Sequence, residues 1–345
     1  MSARGDLLAS IATTISDYRA GEIAAPTPEH VDRWVKQFER GSQDTLLQEI
    51  DHVLKETYFS KKQITGFLTR LVTNSKLAGD EPCKFWRKTH FLAIQQHGES
   101  QKKMLALFDA ALKSQCGLRI SECGQEGGDY VYLDDAMFSG SRVGNDLAPW
   151  IEGTAPANVT VHVIVAAIHT GGAYLVGERL KKAIAASGKK VKIEYWRTVS
   201  LENQKYHRNN CEVLWPTALP DDPQLAAYLA KPHKFPFVAR LPGGKLGPFS
   251  SEERRQLLEK EMLLAGVKIR ALSKNPKEII RPLGFSPFGL GFGSTIVTYR
   301  NCPNNCPLAL WWGDPTATSG PFHWYPLLQR KTHAQSDTCG FGIEL

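Results

Sequence analysis

The stretch "YVYLDDAMFSGSR", residues 130–142, decides how the rest of the chain is read. An apolar run stops at two adjacent carboxylates, Asp134 and Asp135; three apolar residues follow, then Ser139-Gly140-Ser141 and Arg142. A run of this kind reads as a buried strand. A small-residue loop after it, opening a helix, offers backbone N–H groups and hydroxyls that hold a phosphate at the positive end of the helix dipole. Gly140 permits close backbone approach. Carboxylates beside that phosphate accept hydrogen bonds from sugar hydroxyls, so the whole describes a ribose 5-phosphate site. A plainer reading makes the acidic strand end a cap for the next helix, but a cap needs only one carboxylate and tolerates many residue types in the next positions. Phosphoryl-transfer and response-regulator folds also carry an acidic pair, with an added lysine or a spaced Asp-x-Asp that does not accompany this loop.

The flanking sequence repeats the same grammar. "HFLAIQ" leads through "QHGES" into the amphipathic "QKKMLALFDAALKSQ"; "NVTVHVIVAAIHTGG", β-branched and nearly uninterrupted, runs into "AYLVGERLKKAIAASG" and then "KKVKIEYWRTV". Successive strand-loop-helix units predict an α/β fold with a parallel, doubly wound sheet, whose ligands bind at the C-terminal ends of the strands. Upstream, "TPEHVDRWVKQF" places Val31, Trp34, Val35 and Phe38 on one helix face after a Thr27 cap, and Ser60 caps "KKQITGFLTRLVT". Downstream, the text is rich in proline and aromatics, and Gly289, Gly291 and Gly293 precede the strand-like "STIVTY", not the helix a dinucleotide fingerprint needs. The expected organisation is a helical N-terminal region over 1–80, an α/β core over 81–215 and a C-terminal extension over 216–345.

The whole chain has 345 residues, 42% of them hydrophobic, a net charge of +7 and a pI near 8.9. That length supports one large core or two modest ones. No apolar run reaches the roughly 18 residues of a membrane span and the first residues hold no long apolar leader segment, so no membrane partner and a cytoplasmic location are expected. Seven cysteines, an odd number, point to reduced thiols, with Cys302 and Cys306 of "NCPNNCP" as buried thiols in preference to a zinc site. The lysines at 181, 182, 189, 190 and 192 read as a solvated helix face, with contact to a polyanion as the alternative.

"VYLDDAMFSGSR" resembles the phosphoribosyl-pyrophosphate signature of type I phosphoribosyltransferases: apolar strand, two acidic residues, apolar spacer, then Thr/Ser-Gly-x-Thr. The resemblance implies that Asp134 and Asp135 bind the ribose hydroxyls, directly or through Mg²⁺, and that Ser139, Gly140 and Ser141 cradle the 5-phosphate. The family's final threonine falls on Arg142, itself able to contact phosphate. The spacer position that carries an acidic base in purine-salvage members is Phe138, which tells against base-assisted purine transfer. The family's pyrophosphate loop falls one unit upstream, on Gly98, Glu99, Ser100 and Gln101. "IHTGGAY", with His169 to Gly172, reads either as a further pocket wall or as a plain turn.

Together with the "GFGSTIVTYRNCPNNCPLALWW" segment, the chain is similar to phosphoribosyltransferase-like domains of bacterial conflict systems, including effectors encoded beside retron reverse transcriptases. That similarity implies a C-terminal hood, with Asn304, Asn305 and Trp311 near the active-site mouth. It also implies a phosphoribosyltransferase-like enzyme in anti-phage defence, acting on phosphoribosyl pyrophosphate or a nucleotide, with a reverse transcriptase and its RNA/DNA as nucleoprotein partner. Two alternatives stand beside it: a sensor or inhibitory subunit that binds the same ligand without turnover, and a nucleotide N-glycosidase.

Overall fold

A computed structural model describes residues 3–96, 99–125, 127–205, 211–231 and 235–330. The chain divides into two compact units, one within Met1–Tyr58, Ala218–Val238 and Phe249–Leu345, the other within Phe59–Thr217 and Ala239–Pro248.

The first unit starts with α1 (Ala3–Thr14), α2 (Pro28–Val35) and α3 (Gln43–Thr57). Thr27 caps α2 as expected, accepting from the His30 N–H at 3.3 Å, with Pro28 at the first helical position.

The second unit opens with α4 (Lys61–Val72), capped reciprocally by Ser60 and Gln63, then α5 (Ser75–Ala78) and α6 (Pro82–Lys88). An α/β succession follows: β1 (His90–Phe91), α7 (Ser100–Cys116), β2 (Tyr130–Leu133), β3 (Ala136–Met137), α8 (Ser141–Glu152), β4 (Asn158–Ile164), β5 (Ala167–His169), α9 (Thr170–Ser187), β6 (Lys190–Trp196) and β7 (Val199–Leu201).

Strands β1, β2, β4 and β6 form a four-stranded sheet in that order, and β3, β5 and β7 a three-stranded one, every pair parallel. The short sheet prolongs the long one. Each of three chains breaks for two residues at the same level, at 134–135, 165–166 and 197–198, and resumes. Hydrogen bonds cross this crease from Asp134 N–H to Ile164 O at 3.0 Å, Val165 N–H to Trp196 O at 2.9 Å and Ala166 N–H to Asp135 O at 2.9 Å. The sheet thus stays paired while its strands bend, and the bend falls on the aspartate pair.

Helices cover both faces, as the doubly wound reading expects. Tyr132, Val161 and Val163 pack with Val143, Leu147, Val176 and Leu180 of α8 and α9. On the opposite face Phe91 meets Phe108 of α7 at 5.4 Å between ring centroids, and Phe85 of α6 meets His162 at 6.0 Å. The lysine-rich end of α9 is partnered: Lys181 pairs with Glu178, Lys192 with Glu194, and Lys189 Nζ donates to the carbonyls of Ile151 and Gly153 at 2.8 Å each.

The first unit is completed by α10 (Pro223–Leu229), α11 (Glu252–Ala271) and α12 (Leu308–Trp311). Helix α11 packs against α3, α10 and α12. Trp34 and Trp324 both donate their indole N–H to the carbonyl of Ala309, at 2.9 and 3.0 Å. Inside lies an ion pair, Arg255 to Glu259 at 2.9 Å, with both side chains 1% exposed. The Glu49 carboxylate accepts from the amide and hydroxyl of Ser250.

One expectation is corrected. Cys83 and Cys116 form a disulfide, while Cys123, Cys211, Cys302 and Cys306 are free thiols, the last three buried. An odd count forbids complete pairing and nothing more. The packing of α6 on the end of α7 brings the two Cα atoms to 5.3 Å, within bridging range.

Two outcomes follow from this packing. Serine at both Cys83 and Cys116 is expected to cost ~3–4 kcal/mol of stability, because the bridge closes a chain separation of 33 residues. Equal denaturation midpoints for wild type and double variant under non-reducing conditions would refute this. Gly172 on the first turn of α9 lies so close to the loop after β3 that a Cβ there would stand 1.7 Å from Phe138 O. Gly172→Ala should therefore destabilise by ~1–3 kcal/mol, read as a lowered denaturation midpoint.

Candidate functional site

Asp134 directly follows β2 with its carboxylate turned away from solvent, the residue being 3% exposed, whereas Asp135 is half-buried. Each carboxylate folds back on the chain: Asp134 Oδ1 accepts from the Asp135 N–H and Asp135 Oδ1 from the Ala136 N–H, both at 2.9 Å. These contacts hold the two acidic groups in fixed, different environments. Burial and the adjacent Asp135 charge push the Asp134 carboxyl up to about 7, opposed by a hydrogen bond from the Ser100 hydroxyl, the Asp135 N–H and the charge of Arg142. An acid titrating there changes charge within the physiological range.

The loop after β3 leads straight into α8 through small residues. Gly140 has φ +74° at the N-cap of α8, a left-handed conformation that suits glycine, and Ser141 begins the helix. Ser139 and Ser141 engage one another: the Ser139 hydroxyl donates to Ser141 Oγ at 3.0 Å, and the Ser141 N–H donates to Ser139 Oγ at 3.3 Å. Arg142 is exposed on the first turn of α8 and lies close enough to stabilise the charged form of Asp134. Deeper on the same helix, Asp146 accepts from the fully buried Tyr132 hydroxyl at 2.6 Å, tying α8 to the strand that carries the aspartates.

Of the four residues expected in the upstream loop, Gly98 lies outside the described residues. Glu99 is exposed, and Ser100 begins α7 and reaches Asp134, so the structure brings the second loop to the first. Gln101 is 2% exposed and forms a reciprocal pair with Gln95: the Gln95 N–H donates to Gln101 Oε1 at 2.9 Å and the Gln101 N–H to Gln95 Oε1 at 3.1 Å. Gln95 Nε2 also donates to Ser100 Oγ at 3.1 Å. Gln101 is thereby a loop-shaping residue whose Nε2 has no hydrogen-bond partner.

The turn after β5 adjoins the serine loop. A Cβ on Gly140 would stand 2.7 Å from Gly172 O, so the two backbones touch. His169 is fully buried with its ring 5.6 Å from that of Phe138, and burial depresses its basicity to about 3, which keeps the imidazole neutral. Sequence reading missed what holds this turn. Thr170 donates to Glu202 Oε2 at 2.9 Å, and the Gly171 N–H donates to Asn203 Oδ1 at 2.9 Å. The available signal was the polar "EN" directly after the strand-like "TVSL", a strand end in the same position relative to its strand as Asp134.

Asn304, Asn305 and Trp311 belong to the other compact unit. There the Phe285 N–H donates to Asn304 O at 2.8 Å, Asn305 Nδ2 to Phe285 O at 3.0 Å and the Trp311 indole to Cys306 O at 2.8 Å. No helix among the described residues is long and apolar enough to cross a membrane.

No curated protein and no solved structure shows a significant match to the chain. The family model PRTase-CE matches residues 31–330, taking in both aspartates, the serine loop and the parallel sheet that carries them. With most of its length matched, the chain belongs to the PRTase-CE family and carries a phosphoribosyltransferase-type domain.

Proposed function

We propose that this chain binds a ribose 5-phosphate donor, phosphoribosyl pyrophosphate or a nucleotide, at the ends of β2 and β3, and displaces the leaving group from its anomeric carbon. The observation that carries the reading is the convergence of three parts at one strand end: the paired aspartates, the serine loop on the α8 N-terminus, and Ser100 from the start of α7. In this reading Asp134 and Asp135 hold the ribose hydroxyls, Ser139, Gly140 and Ser141 the 5-phosphate, and Arg142 its outer oxygens. Glu99, Ser100 and Gln101 border the pyrophosphate side, with Gly98 assigned there on sequence grounds. The bond from the anomeric carbon to the pyrophosphate oxygen breaks, its electron pair leaves with pyrophosphate, and an acceptor forms the new bond. Positioning and charge stabilisation supply most of the rate.

The donor set suits Mg²⁺, which takes one or two carboxylates together with water and substrate oxygens. Two adjacent carboxylates fit that need, and no larger cluster of ligating side chains stands among the described residues. Bound beside Asp134 and Asp135, Mg²⁺ would neutralise charge on the departing pyrophosphate.

A second reading, binding without turnover, is favoured by one observation. Phe138 provides no proton acceptor where purine-transferring members have one, and the neighbouring His169 is neutral and enclosed. The resemblance to conflict-system domains further supports an effector role in anti-phage defence beside a reverse transcriptase with its RNA/DNA, and a cytoplasmic location.

Isothermal titration with phosphoribosyl pyrophosphate and Mg²⁺ tests the site. Asp134→Asn with Asp135→Asn should weaken binding by at least about a hundredfold, two charge-assisted contacts being lost, while the fold persists. Unchanged affinity in a folded double variant would sink the proposal. Pyrophosphate release with an acceptor present identifies transfer, free base without acceptor identifies N-glycosidic cleavage, and binding alone identifies a sensor.

Affinity should also depend on pH. The ionised Asp134 is the form that binds Mg²⁺ and hydroxyls, so wild-type affinity rises from pH 6 to pH 8 through the carboxyl's value of about 7. Asp134→Asn loses that component and retains only the titration of the ligand's own phosphates. Because the folded carboxyl is raised above its ordinary value, the ligand-free fold holds this proton more tightly than the unfolded chain does. The corresponding stability is present below pH 4 and is lost as pH rises to 7. Parallel pH profiles for wild type and Asp134→Asn would contradict both statements.

A further inference from the structure

The short sheet brings a further carboxylate to the strand ends that carry the serine loop. Met137, Ile168 and Ser200 are in register on β3, β5 and β7, and two residues beyond them stand Ser139, Thr170 and Glu202. Adjacent strands lie ~4.8 Å apart, so this row runs about 10 Å from Ser139 to Glu202. Glu202 is half-buried and turns back along the row, its Oε2 accepting from the Thr170 hydroxyl at 2.9 Å. Glu212 holds the Glu202 backbone twice: its N–H donates to Glu202 O at 2.6 Å, and its Oε2 accepts from the Glu202 N–H at 2.8 Å. The neighbouring Asn203 Oδ1 accepts from the Gly171 N–H at 2.9 Å. The Glu202 carboxylate is thereby fixed on the side of the serine loop, and the Thr170 bond uses one of its roughly four acceptor positions.

The direction of the proposed displacement gives this placement a chemical use. Pyrophosphate departs toward Ser100 and α7, on the β1 side of the aspartates. In a displacement with inversion the incoming group meets the anomeric carbon on the opposite face of the sugar. Across the sheet from β1 lie β4 and β6, continued by β5 and β7, whose ends carry Thr170 and Glu202. An incoming nucleophile that bears a proton must lose it there. Phe138 provides no acceptor for that proton, and His169 is fully buried with its basicity depressed. Asp134 and Asp135 hold the ribose hydroxyls in the reading on which this inference rests. Glu202 is a carboxylate already on the side from which the nucleophile comes.

We propose that Glu202 is the general base of the transfer and that the acceptor is a neutral, proton-bearing nucleophile, water or an N–H compound. The acceptor's lone pair forms the new bond to the anomeric carbon as the bond to the pyrophosphate oxygen breaks and its electron pair leaves with pyrophosphate. The acceptor's proton passes to the Glu202 carboxylate, which returns it to solvent before the next turnover. An acceptor that attacks through its own carboxylate has no proton to give and is repelled by the Glu202 charge. The bond to Thr170 serves a second purpose, orienting the base and tying the start of α9 to β7.

The test follows pyrophosphate release from phosphoribosyl pyrophosphate and Mg²⁺ by the full chain, with water alone and with hydroxylamine, adenine or acetate added. Wild type is expected to release pyrophosphate with water or an N–H acceptor and to gain nothing from acetate. Glu202→Gln keeps an oxygen for Thr170 and so preserves the turn. It should lower kcat about a hundredfold or more while donor affinity, read by titration, stays within about twofold. Sodium formate, a small external base, should restore part of the rate of Glu202→Ala and leave wild type unchanged, a rescue that a purely structural tie does not give. Equal kcat in wild type and Glu202→Gln overturns the proposal, as does a loss of rate matched by an equal loss of donor affinity. Wild type that binds the donor yet releases no pyrophosphate with any of these acceptors also overturns it, with the ribose-phosphate site intact. Wild type that does not bind the donor at all brings down the ribose-phosphate reading itself, and this inference with it.

Discussion

A carboxylate withdrawn from water at the end of a central strand is the constraint around which the α/β unit is arranged. Asp134 sits where its own N–H still belongs to the sheet, donating to Ile164 O, while its side chain needs compensation from outside the sheet. That compensation comes from three directions: the start of α7 through Ser100, the strand itself through the Asp135 N–H, and the first turn of α8 through Arg142. Removing any one leaves a buried acid less well supported. One buried side chain is thus met by groups from the first turns of two helices.

The crease of the sheet makes this arrangement possible. A straight strand would carry residues 134–137 onward as one ladder, alternating sides. Interrupting all three chains at one level keeps the backbone paired and frees two consecutive residues from strict alternation. Both carboxylates can then serve one region. The fully buried Tyr132, anchored to Asp146, fixes the strand against α8 just before the break.

Much of the fold was legible because its determinants are local. Apolar β-branched runs, caps such as Thr27 and Ser60, and the order of strand, acidic pair and serine loop are patterns within a dozen residues. What escaped the reading depends on tertiary approach. Cys83 and Cys116 are linked by the packing of α6 and α7, which no cysteine spacing encodes. Gln101 lies at a helix start as expected, but that its side chain turns inward to pair with Gln95 is a tertiary contact the sequence order did not show. In α11, Arg255 and Glu259 have the i, i+4 spacing of a solvated pair, but both are enclosed, because the surrounding helices come from both ends of the sequence. A charge pair on a helix does not announce whether water or another helix will face it.

The contact of Gly172 with the carbonyl of Phe138, and of Gly140 with the carbonyl of Gly172, makes two loops into one object. Neither backbone has clearance to move without the other, and neither accepts a side chain at the contact. Variation in this lineage is therefore expected to treat residues 138–140 and 171–172 as a single inherited module, and an engineer transplanting the serine loop into another parallel-sheet scaffold would have to carry the glycine turn with it.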